Sequence, residues 1–171
     1  KHMVGNEPVT WYYVVSLIGK TMVLLVAPIN TIVISYLTRR ERTLNKKEFT
    51  LAAGAGFLVA AVFFLCCQIG TPLFIRIFYP DLYDAVSTLV TVVNLTQVLA
   101  LYSAFLFILV LTFTGETWQL ILQTSHLVIM AVLVVLFTMR DGIIGFSYAA
   151  LAANVLRVAA VIILGYGKIR R

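Results

Sequence analysis

The chain has 171 residues, 61% of them hydrophobic and 12% charged, with a formal net charge of +6 and a mean hydropathy of +1.00. Soluble domains carry roughly a quarter charged residues, so this composition excludes a water-solvated globule. The charges gather in short stretches between long apolar runs, which is the pattern of an all-α integral membrane protein.

About five segments are long enough to cross a bilayer core, which takes ~20 helical residues. The first is predicted from about Trp11 to Leu37 and the second from about Phe49 to Phe78, parted by the basic stretch from Thr38 to Glu48. Tyr79-Pro80-Asp81 breaks the pattern before a third helix from about Leu82 to Phe113, and Gly115 in Thr114-Gly115-Glu116-Thr117 reads as its stop. A fourth helix covers about Trp118 to Thr138. Arg140-Asp141-Gly142 then turns the chain into a fifth, from about Ile143 to Leu164, with Gly165-Tyr166-Gly167-Lys168 as its end. Residues 1–171 thus read as a single transmembrane bundle with no loop large enough for a soluble domain. The runs are apolar all round and too long for the alternating strands of a barrel. Cys66 and Cys67, adjacent within an apolar run, read as packing residues and not as a bridge or a metal motif.

Lysine and arginine fix the expected orientation, because they stay on the cytoplasmic side of short loops. Arg39, Arg40, Arg42, Lys46 and Lys47 follow helix one, and Lys168, Arg170 and Arg171 follow helix five. Five crossings from an outside start put both groups in the cytoplasm, leaving Lys1, Arg76, Arg140, Asp81, Asp84 and Asp141 at the opposite face. The chain opens with Lys1-His2 and shows no cleavable signal ahead of an outside terminus, so it is expected to be a fragment of a longer polypeptide whose amino-terminal helices would be its partners.

Small residues recur every fourth position in helix five (Gly145, Ala149, Ala153) and helix two (Ala52, Gly56, Ala60), the spacing that lets helices approach closely in lipid. Pro28 removes a backbone hydrogen bond within helix one and marks either a hinge or a tolerated proline. At 100° per residue, Asp84, Ser87, Thr88, Thr91 and Asn94 fall within about 120° of helix three, with Gln97 just beyond. That stripe, in the outer half of the helix, is either interhelical hydrogen bonding or the wall of a water-filled cavity. Lys20, His126 and Arg157 lie near the middle of helices one, four and five, whereas all seven carboxylates sit in loops or near helix ends. A buried cation without an acid is costly, so water, an acid on a further segment or an anionic substrate is expected beside each, unless Lys20 and Arg157 snorkel and His126 stays neutral.

No paired carboxylates, His-Glu-x-x-His or Gly-x-Ser-x-Gly element is present, so no enzyme, catalytic residue, metal site or cofactor is expected. Gly54-Ala55-Gly56 lacks the rest of a dinucleotide fingerprint. Nucleic acid is not an expected partner either, since the positive charge is distributed as a topology signal.

The stretch Phe78-Tyr79-Pro80-Asp81-Leu82-Tyr83-Asp84-Ala85 and the stretch from Asp141 to Ala150 (Asp-Gly-Ile-Ile-Gly-Phe-Ser-Tyr-Ala-Ala) resemble two late connections in polysaccharide-lipid flippases of the multidrug/oligosaccharidyl-lipid/polysaccharide exporter superfamily. The resemblance implies the carboxy-terminal portion of such a transporter, most of the second bundle of a 12–14 helix protein in the cell inner membrane. It implies a function as well: movement of an isoprenoid-pyrophosphate-linked oligosaccharide between leaflets for cell-surface polysaccharide biosynthesis. Lys20, His126, Arg157, Asn94 and Thr91 would then surround the anionic lipid-linked substrate, with Pro28 as hinge. A drug or cation exporter of the same superfamily, which would need buried carboxylates, and a small non-transporting membrane scaffold or subunit are the alternative readings.

Overall fold

A computed structural model describes residues 6–38, 44–111 and 113–169. Arg39, Arg40 and Arg42 of the basic stretch, Arg170, Arg171 and the amino-terminal Lys1 lie outside the described residues. The described chain is helical, in the order α1 (Asn6–Thr38), α2 (Lys46–Phe78), a 3-10 turn (Pro80–Leu82), α3 (Tyr83–Leu111) and α4 (Glu116–Lys168). All four helices are long and apolar enough to cross a membrane.

Helix α1 starts five residues before the predicted Trp11, because its first turn tolerates Pro8 and places Glu7 against the positive end of the helix dipole. Helix α2 likewise starts ahead of its apolar run. The Asn45 side chain accepts from the Glu48 amide at 2.8 Å and the Glu48 carboxylate accepts from the Asn45 amide at 3.0 Å, a reciprocal capping box. At the far end of α2, Arg76 donates to the Tyr83 hydroxyl at 2.9 Å and lies over the same ring, closing the connection into α3. Gly115 is not the stop of α3: it takes an extended conformation (φ −72°, ψ 160°) and is the N-cap of α4.

Helix α4 has 53 residues, ~80 Å if straight and far more than one crossing of a ~30 Å hydrocarbon core. It is not straight. Asp141 and Gly142 leave helical geometry, Gly142 with φ 59° and ψ −132°, a region open only to glycine without strain. Gly145 comes so close to the Phe137 carbonyl that no side chain fits at 145. Further along, Arg157 reaches Gln123 and His126 lies beside the Ala153 carbonyl. These pairings run in opposite directions from the turn, so α4 is a helical hairpin with arms 116–140 and 143–168. The membrane-spanning segments therefore number five among the described residues.

Helix α3 is the axis of the bundle and packs on α1, α2 and the hairpin. Of its most apolar stretch 56% is buried, against 6% for α2. One apolar cluster gathers Leu44, Phe49, Leu106, Leu109, Val110 and Val161 at one end, and another joins Val14, Val15, Ile75, Val86, Leu89 and Val93 at the other. Phe49 is wholly buried with its ring seated on Gly165, where a Cβ would lie 2.5 Å from Cζ. Gly165 is thus a packing notch inside the helix and not its end, and the helix runs on to Lys168. The expected small-residue stripes are close-packed in part. Gly145, Ala149 and Ala153 are buried, and Gly56 packs against Phe105, whose Cε1 would lie only 2.5 Å from a Cβ there.

Candidate functional site: a polar layer at the middle of the bundle

Between the two apolar clusters lies a layer of polar side chains. The midpoint of α3 falls at Gln97, whose Cγ would stand 2.6 Å from a Cβ on Gly19, so the following residue, Lys20, is level with mid-bundle. On another side of α3 the Asn154 amide donates to the Thr96 carbonyl at 3.5 Å and to the Ala150 carbonyl at 3.1 Å. Arg157 follows within one turn of Asn154. The helices therefore bring Lys20, Gln97, Asn154, His126 and Arg157 to one depth, to within about a turn of ~5 Å.

The layer divides into three groups. In the first, Asn94 is fully buried between α2 and α3. Its amide nitrogen donates to the Cys67 carbonyl at 3.1 Å and to Gln68 Oε1 at 3.0 Å, while its oxygen accepts from Thr71 at 3.1 Å. Gln68 in turn donates to Thr91 at 3.0 Å. Pro72 stands one residue beyond Thr71 and leaves the Gln68 carbonyl without its helical amide, whereas the clasp's backbone bond goes to the Cys67 carbonyl. Asn94 and Thr91, expected around a substrate, are thus engaged in joining two helices. Asp84, Ser87 and Thr88 of the same stripe are exposed.

The second group is in the hairpin. Arg157 Nη2 makes a long 3.5 Å contact to Gln123 Oε1, and its guanidinium lies 6.0 Å from the Phe107 ring centroid. His126 is within electrostatic reach of Arg157, and its buried Nδ1 has no hydrogen-bond partner. The third group is Lys20 alone, exposed on α1 with its ammonium 4.6 Å from the Tyr13 ring centroid, leaning toward the start of the helix. Glu7, Glu48 and Asp84 stand in first turns, Asp81 in the 3-10 turn and Asp141 in the hairpin turn. Among the described residues no carboxylate reaches mid-bundle. Pro28 is exposed within α1, which continues as helix on either side of it.

Gln68, Thr71, Gln123 and Asn154 complete the layer and were not among the residues singled out from sequence. Each is a polar residue inside an apolar run, a signal that was present. Their common depth was not readable without the helix registers.

Compared with known proteins, the chain matches no family model, no curated protein and no solved structure. The geometry of the polar layer therefore carries the functional reading.

Proposed function

We propose that the bundle is part of a membrane transporter for an anionic lipid-linked substrate, an isoprenoid-pyrophosphate-linked oligosaccharide moved between leaflets of the cytoplasmic membrane. The observation that carries this reading is the pair Arg157 and His126, level with the middle of the bundle, where Gln123 and the Ala153 carbonyl are their polar company among the described residues. A guanidinium at that depth costs several kcal/mol unless an anion or water accompanies it. Diphosphate is a fitting occupant, since a planar guanidinium presents paired donors to phosphate oxygens. Lys20 at the same depth would extend the cationic path. The two connections that resemble late flippase connections support the oligosaccharide as cargo. The cationic neighbourhood in turn disfavours a cation exporter, which would need an acid at this depth.

The test is translocation of a fluorescent short-chain isoprenoid-diphosphate oligosaccharide in proteoliposomes of the full polypeptide. Arg157→Met is expected to lower the rate at least tenfold with insertion unchanged, and Lys20→Met to lower it less. Absence of translocation by the unaltered protein would sink the function; full activity of Arg157→Met would sink the role of the pair. A non-transporting scaffold is the second reading, favoured by the α2–α3 clasp, in which Asn94 and Thr91 serve assembly. In that case both variants would insert normally and no substrate would cross.

A further inference from the structure

We infer that the cleft between α1, α2 and α3 holds one acyl chain of a diacyl phospholipid, with the chain's ester carbonyl accepting a hydrogen bond from the side-chain amide of Asn30. The inference does not rest on the transport reading, because a scaffold would present the same cleft.

The cleft is a cavity of about 260 Å³ with walls from three helices: Val26 and Asn30 of α1, Ala60 and Phe63 of α2, and Leu101 and Phe105 of α3. Small residues on the α2 wall make the room. Ala55, Gly56 and Ala60 line it, and the Phe105 ring occupies the notch that Gly56 leaves. The floor is fixed by Tyr102. Buried on α3, it meets the Phe57 ring edge to face and donates its hydroxyl to the Ala53 carbonyl at 3.1 Å. Ala55 and Val59 are exposed whereas Gly56 and Ala60 are half-buried, so the cavity opens past the first two toward the bilayer.

Depth identifies the occupant. Gly19 is level with mid-bundle; Val26 and Asn30 stand 7 and 11 residues further along α1, ~10 and ~16 Å. On α3, Leu101 and Phe105 follow Gln97 by 4 and 8 residues, ~6 and ~12 Å. The cavity therefore runs through one half of a ~30 Å hydrocarbon core, with Asn30 at its edge, ~15 Å from the middle. That edge is where ester groups join acyl chains to glycerol.

Chemistry agrees with depth. Asn30 and Tyr102 are the polar side chains of the cleft. The Tyr102 hydroxyl is already engaged, whereas Asn30 has no hydrogen-bond partner among the described residues. One free amide at the hydrocarbon edge, above an apolar slot, is the complement of one ester carbonyl above one chain. Other occupants fit less well. Water does not fill an apolar cavity, and an empty one costs stability in proportion to its volume. A transmembrane helix, a cylinder ~10 Å wide, fills about 420 Å³ per turn, more than the 260 Å³ present.

Lipid titration of the purified full polypeptide, read by native mass spectrometry, tests the site with dioleoyl phosphatidylcholine and its dialkyl-ether analogue of the same chain length. The ester lipid should bind about fivefold more tightly, the worth of one net hydrogen bond, and Asn30→Leu should abolish that preference. Ala60→Leu fills the cleft and should lower binding of both lipids at least tenfold; Ala55→Leu, at an exposed position that does not disturb packing, should lower both by less. Location is read separately. A phosphatidylcholine with a diazirine at mid-chain, irradiated with the full polypeptide in bilayers, should label residues 59–63 and 101–105 well above the lipid-facing arm 116–140. Equal binding of ester and ether lipids by the unaltered protein overturns the inference, as does undiminished binding to Ala55→Leu and Ala60→Leu. Labelling spread evenly over the arm, or missing from the cleft because a protein segment fills it, would overturn it too.

Discussion

Asn94 shows how one side chain decides a helix interface in lipid. Three of its hydrogen-bonding positions are filled, all from α2, and the partners are the residues around a proline that breaks the backbone ladder. Interhelical hydrogen bonds in bilayers average about 0.6 kcal/mol, with a maximum near 1.7. Asn94→Ala removes three at once and leaves a void. It is expected to destabilise the bundle by about 2 kcal/mol in a reversible unfolding titration in mixed micelles, whereas Thr91→Val, which loses one bond at an exposed position, should cost about 0.5 kcal/mol. Equal effects of the two would mean that the clasp is not the source of α2–α3 affinity. His126 makes the opposite point. Its buried Nδ1 without a partner is a poor choice for stability alone, so His126→Phe should be at least as stable as the parent, and any loss from it should appear in transport and not in folding.

At the scale of the element, glycines separate into those that make the fold and those that do not. Gly145 abuts the Phe137 carbonyl where the hairpin closes, while Gly70 has nothing within 4 Å of a Cβ position. Gly145→Ala must push the arms apart and should lower the thermal midpoint by several degrees. Gly70→Ala should raise stability slightly, by up to ~1 kcal/mol, because it removes backbone freedom in a helix interior. A stabilising Gly145→Ala would refute the closed hairpin. The sequence displays much of this level. Apolar runs and punctuation by Tyr79-Pro80-Asp81 and Arg140-Asp141-Gly142 locate the crossings, and the Asn45-x-x-Glu48 spacing displays the cap of α2, although the apolar run alone starts that helix too late. Other features are hidden in it. A glycine near the end of an apolar run reads equally as a stop or as a notch, and only the Phe49 ring resting on Gly165 distinguishes them. Likewise a polar stripe on one helix reads as a cavity wall or as a clasp until Gln68 and Thr71 are seen opposite it. Depth was legible helix by helix, from Lys20, His126 and Arg157 near the middle of their runs. Their separation into a hairpin pair and a lone lysine depends on lateral packing, which hydrophobicity does not encode.

At the scale of the molecule, the hairpin determines how many times the chain crosses and therefore which charged ends share a side. The Phe49, Tyr166 and Phe113 rings meet edge to face, and Lys168 lies 4.4 Å from the Trp118 ring centroid. The start of α2, the end of α3 and both ends of α4 thus belong to one face of the bundle, and Arg140 to the other. Single cysteines replacing Lys47, Lys168 and Arg140, in a chain with Cys66 and Cys67 changed to serine, make this measurable with a membrane-impermeant thiol reagent. Positions 47 and 168 should label from the same side of sealed vesicles and position 140 from the opposite side. The basic residues gathered at the first face should make that side cytoplasmic, so 140 should react in intact cells and the other two only in inverted vesicles. Labelling of 47 and 168 from opposite sides would require α4 to cross once. The contact between Arg157 and Gln123, and with it the Arg157–His126 pair at mid-bundle, could not then form. Reversed labelling of all three would leave the hairpin intact and overturn only the orientation.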